Sequence, residues 1–169
     1  MDIDKLERMA DDIITHKIYV LQICQKVFKY LCDNNQSQLG IDLLKRAATH
    51  DNSKFSESEF ERMASILKTD ECFKNAKYKL SKEERDIIRL HWKNNRHHPE
   101  HFDDISQMSD LDIWEMVCDW YARSLQYGTD FIEFVRTRQK VRFKFSEKQF
   151  DKICTYCILV EELYYDYKS

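Results

Sequence analysis

The chain has six histidines, and all of them fall within its first 101 residues. His91, His97, His98 and His101 form one cluster; His16 and the doublet His50-Asp51 stand earlier, and Asp119 stands later. Imidazole nitrogen and carboxylate oxygen together make the donor set that Mn, Fe, Co, Ni or Zn takes in mixed coordination. A structural zinc held by thiolates is not indicated, because Cys154 and Cys157 are a CxxC pair inside an apolar helical run with no second pair. With Cys24, Cys32, Cys72 and Cys118 they are expected to be reduced thiols. These residues point to an open catalytic site for a divalent transition metal.

Helices must position this set. Only two glycines and one proline occur, too few turn residues for a sheet of many short strands. Met9, Ile13, His16, Val20, Ile23 and Val27 recur at helical spacing, which predicts a long helix over about 2–32 with His16 on its apolar stripe. A short second helix through Leu43, Leu44 and Ala47 ends at His50, so His50-Asp51 begins a loop. Ser56 with Glu59 and Ser81 with Glu84 have capping-box spacing and predict helix starts near 56 and 81. The second runs to His91, and Pro99 places His97 and His98 in a loop or at a helix edge. Ser109 and Asp112 open a helix that carries Trp114, Cys118, Asp119 and Tyr121 to Gly128. Helices near 130–140 and 146–167 follow. At 169 residues, 43% of them hydrophobic, the expectation is one all-α domain, a bundle of about six to seven helices over 1–169.

Three features carry a resemblance. His16, His50-Asp51 and Asp119 resemble the H…HD…D signature of the HD-domain superfamily, all-helical metal-dependent phosphohydrolases. His50-Asp51-Asn52-Ser53-Lys54 resembles the HDxGK segment of the branch that cleaves cyclic nucleotides, with Ser53 in place of glycine, and His97-His98 resembles its later histidine pair. His50 to Lys54, His91 to His101 and Glu115 to Trp120 are also similar to a family of short bacterial and phage proteins with HDxSK and HHPE motifs, which brings no activity of its own. The superfamily implies that His16, His50, Asp51 and Asp119 hold one metal, with Asp51 bridging to a second held by His91, His97 and His98. It further implies hydrolysis of a small phosphorylated metabolite, a nucleotide monoester or a cyclic or signalling nucleotide. In that setting Lys54 would face the phosphoryl oxygens, with Lys93 and Arg96 as further substrate-binding cations. Glu115, one turn before Asp119, is then a partner of a metal ligand or a general base. Two other outcomes keep the same scaffold: a non-catalytic module that binds a nucleotide or a protein, and a di-iron oxygenase.

Plainer readings exist for each residue. His16 on an apolar face suits a core histidine, Lys54 suits a cap on helix two, and Trp114, Trp120, Tyr121, Tyr164 and Tyr165 suit packing. A buried Asp119 needs either a metal or a cation such as Arg123. His101 is expected to lie in an exposed loop. The four-residue match of His97-His98-Pro99-Glu100 to pterin carbinolamine dehydratases is set aside, because no alternating strands surround it. A net charge of −3 gives no general attraction to double-stranded nucleic acid or anionic membrane. The first helix is charged at its start, with no apolar stretch fit for a signal peptide or a span, so a cytoplasmic location is expected.

Overall fold

The structure is a computed structural model in which residues 2–66 and 81–165 are described. Helix α1 spans Ile3–Asp33, capped by the Asp2 carboxylate, and buries one stripe that includes Met9, Ile13, His16, Val20, Ile23 and Val27. Asn35 takes a left-handed backbone at the reversal, and α2 (Ser37–Thr49) returns along α1. Gly40 permits the close approach, since a Cβ there would lie 2.9 Å from the Phe28 ring. A 3₁₀ turn, Asn52–Phe55, leads to α3 (Phe60–Ile66).

Helix α4 (Lys82–Asn94) starts at the capping box of Ser81 and Glu84. Two 3₁₀ turns, Pro99–His101 and Ile105–Gln107, lead to α5 (Asp110–Tyr127), opened by the capping box of Ser109 and Asp112 and closed by Gly128 at φ 63. Then come α6 (Phe131–Phe134), a π-helical turn (Val135–Gln139), α7 (Lys140–Arg142) and α8 (Glu147–Tyr165). The fold is an all-α bundle, with no strand among the described residues.

Helix α5 is the axis of the bundle, packed by α1, α2 and α8. Residues Ile113, Trp114, Met116, Val117, Cys118, Tyr121 and Ala122 are all buried in the main core, which burial stabilises in proportion to the apolar area removed from water. Trp114 stacks on Tyr156 with ring centroids 3.7 Å apart. Four polar residues of α5, Asp112, Glu115, Asp119 and Arg123, recur at helical spacing and so share one face. A smaller apolar cluster, Met9, Ile13, Met63, Ala64 and Ile87, joins the start of α1 to α3 and α4.

Two expectations need correction. No helix starts at Ser56: that hydroxyl pairs with Ser58, and α3 begins at Phe60, because the Glu59 side chain turns inward rather than back to the Ser56 amide. Tyr165 is exposed rather than packed. The end of the last helix beyond 165, and Cys72, lie outside the described residues. The five described cysteines are free thiols, and burial pushes the Cys157 thiol up, away from the thiolate a metal would need. Among the described residues no helix is long and apolar enough to cross a membrane.

Candidate metal centre

The chain reverses at Asp51, whose φ of 55 is in the left-handed region that aspartate tolerates better than most residues. This conformation sends its carboxylate inward, where it is 2% exposed. Oδ2 lies 2.6 Å from Lys54 Nζ and 3.7 Å from His50 Nε2. Oδ1 lies 3.3 Å from His91 Nε2 and 3.5 Å from His97 Nε2. Asp119, reaching in from α5, sets Oδ1 2.7 Å from His16 Nε2 and 3.6 Å from His50 Nε2. His98 Nε2 stands 3.0 Å from His91 Nε2.

The structure therefore brings together His16, His50 and Asp119 as one group and Asp51, His91, His97 and His98 as another, in each of which donor atoms lie within 4.8 Å of one another. Either group could hold a metal ion. Asp51 belongs to the second by its contacts and touches the first through His50.

The histidine rings are oriented from behind. His50 Nδ1 donates to Glu115 Oε1 at 3.0 Å, and His97 Nδ1 lies 3.5 Å from the same oxygen. Glu115 Oε2 is 2.6 Å from Arg46 Nε, close but not aligned as a hydrogen bond, and Arg46 also donates to Asp112. His91 Nδ1 donates to Glu59 Oε2 at 3.0 Å. Ser53 donates to the same Glu59 oxygen, and Asn94 donates to the other. The Asn95 amide also approaches His91 Nδ1, but its two hydrogens serve the Ser53 hydroxyl and the His91 carbonyl. With the proton held on Nδ1, each of these rings presents the Nε2 lone pair forward, as a metal-binding imidazole does. A third grouping, His50, His97 and Glu115, consists of these rearward contacts.

Buried polar atoms are normally paired. Here His50 Nε2, His97 Nε2 and Asp51 Oδ1 are buried with no hydrogen-bond partner; His97 Nε2 lies 3.5 Å from that Oδ1, and His50 Nε2 lies 3.7 Å from the other Asp51 oxygen. Positive charge must lie between these nitrogens and the carboxylate oxygens, as a proton on the ring or as a bound ion, so the residues present fit a cation.

Electrostatics agree. Burial opposes charge on His50, yet Asp51, Asp119 and Glu115 outweigh it and push its pKa up to about 10, a measure of how strongly this spot favours positive charge. Burial takes His16 down to about 4, and burial with His97 and His91 holds His98 well below the ordinary range, so both stay neutral with lone pairs available. Burial works against ionised Asp51 and Asp119, but Lys54, His50 and His91 around the first, and His16, His50 and His97 around the second, hold both carboxyls well below the usual range.

A cleft of about 280 Å³ opens onto this centre, lined by Asp51, Lys54, His91, His98 and Asp119 on the ligand side. Two of the expected substrate-binding cations are elsewhere. Arg96 forks onto Asp112, and the exposed Lys93 offers its carbonyl to His101, which sits outside the cluster. Neither Lys93 nor Arg96 lines the cleft, which takes only His91, Trp92, His98, Pro99 and Glu100 from this stretch of α4 and the loop after it. Arg123 and Arg142 line the cleft instead. Arg123 does not pair with Asp119 but with Asp12 at 3.2 Å. Lys54 lies past the end of α2, so it is a partner of Asp51 rather than a helix cap. Glu115, on neither cleft wall and engaged at both oxygens, has the position of an orienting carboxylate and not of a general base. Glu59 was hidden in the sequence by its capping-box spacing to Ser56; Arg142 and Gln139 carry no local signal.

Fold and site together define an all-helical protein with a buried histidine and carboxylate cluster able to hold a metal. The chain belongs to a family of unknown function, DUF5662, which it matches over residues 5–158. No curated protein and no solved structure matches the chain.

Proposed function

We propose that this protein is an HD-type metal-dependent phosphohydrolase acting on a small phosphorylated metabolite, a nucleotide monoester or a cyclic or signalling nucleotide. The observation that carries the reading is Asp51: its two oxygens face separate histidines, with unpartnered His50 and His97 nitrogens turned toward them. His16, His50, Asp51 and Asp119 would hold one ion, and Asp51, His91, His97 and His98 a second, from among Mn, Fe, Co, Ni and Zn. Such ions supply Lewis acidity and a hydroxide nucleophile at neutral pH.

The chain's own part is to bind and orient. Lys54, Arg123 and Arg142 line the cleft, paired with Asp51, Asp12 and Glu100, and would exchange those partners for the oxygens of a phosphoryl group. Glu115 and Glu59 keep the ligand rings turned forward.

Elemental analysis of purified protein, followed by a panel of phosphomonoesters and phosphodiesters with Mn, Co, Fe or Mg, tests this. About one or two ions per chain and turnover of at least one phosphoester are expected. No metal after reconstitution overturns the reading. Metal without turnover would make the protein a binding module, and an iron-specific, oxygen-consuming reaction would make it an oxygenase.

A further inference from the structure

The metal ligands do not account for one wall of the cleft. Gln139, on that wall, is 4% exposed, and its Oε1 is buried with no hydrogen-bond partner. It closes the π-helical turn in which the Lys140 amide bonds to the Val135 carbonyl five residues back, a local irregularity that is frequent at functional sites. A buried amide oxygen without a donor lowers stability unless something else supplies that donor.

The neighbours of Gln139 indicate what does. Trp120 and Phe143 line the same wall with nearly parallel rings, centroids 6.4 Å apart and planes 7° apart, and Phe134 meets Trp120 edge-on. Trp92 lies beneath the Arg142 guanidinium. Trp120 is almost wholly buried, but the half-buried Trp92, Phe134 and Phe143 leave aromatic surface in the cleft for a planar ring. Lys54, Arg123 and Arg142, paired here with Asp51, Asp12 and Glu100, can turn to a phosphate. At about 280 Å³ the cleft is at the lower edge of the range for small-molecule sites, room for one mononucleotide and not for a dinucleotide or a strand.

We infer that Gln139 is a specificity-determining residue that accepts a hydrogen bond from the base of a nucleoside monophosphate seated in this cleft. The inference rests on the phosphohydrolase reading only for what happens at the phosphate end; base recognition is a matter of binding.

Non-hydrolysable phosphonate analogues of the four common nucleoside monophosphates and of ribose 5-phosphate, titrated calorimetrically into the protein as purified, provide the test. At least one nucleoside analogue binds about tenfold tighter than the ribose analogue, the contribution of one hydrogen bond. Gln139→Met, similar in length but without the oxygen, erases that preference by bringing the nucleoside analogue down to the ribose affinity. Equal affinities in the wild-type protein, a preference that survives Gln139→Met, or no binding at all overturns the inference. A Gln139-dependent preference without turnover of any phosphoester would sink the hydrolase reading and leave this one standing. Turnover with no base preference would do the reverse.

Discussion

Asp51 holds a left-handed backbone and divides its oxygens between two groups of histidines, so its geometry and its charge can be removed separately. Asparagine tolerates the same backbone but lacks the charge. Asp51→Asn is therefore expected to keep its helical circular dichroism and lose its bound metal; an unchanged metal content would contradict the assignment. Glu115→Gln should keep the metal but weaken it about 10- to 100-fold in a chelator competition, the usual effect of removing a carboxylate that orients ligand rings. No change would show that the rings are held by packing alone. Much of this site was legible in sequence, because His16 announces itself as a polar residue on an apolar stripe and His50-Asp51 as a doublet at a helix end. Glu59 behind His91, and Gln139, Arg123 and Arg142 in the cleft lining, were not, since each is brought there by tertiary packing.

At the scale of elements, local rules succeeded where the third residue of the box still reaches back to the cap amide. Ser109 and Ser81 cap their helices with reciprocal bonds from Asp112 and Glu84, as their spacing implies. Ser56 and Glu59 have the same spacing, but Glu59 is claimed by His91, Ser53 and Asn94, and the box does not form. The contrast is measurable by urea unfolding: Ser109→Ala should cost about 1 kcal/mol, and Ser56→Ala close to nothing. Equal losses would mean that Ser56 supports the turn in some other way. The face of α5 that carries Asp112, Glu115, Asp119 and Arg123 was open to the same reading, since four polar residues at helical spacing on an otherwise apolar helix must share a function or a partner.

Across the whole molecule, buried carboxylates set the acid limit. Burial works against ionised Asp112, but Arg96, Ser109 and Arg46 outweigh it and lower its pKa. A group lowered on folding stabilises the protein above its unfolded pKa of about 3.9, and that stability is lost as pH falls through the folded value. Stability should thus decline below about pH 4, and Asp112→Asn should flatten that decline while lowering stability at neutral pH; an unaltered acid limb would exclude Asp112 as its source. The placement of the two apolar clusters has another consequence. Among the described residues, helix α4 packs on the Pro99–His101 turn, on α3 and on the Asn52–Phe55 turn, while its His91 meets Asp51 at the edge of the main bundle. An ion gripped by both would rivet α4 to the frame of the main core. In hydrogen exchange, chelation should then release the α4 amides first, well before those of α5, and the protein would open like a door whose latch has been withdrawn.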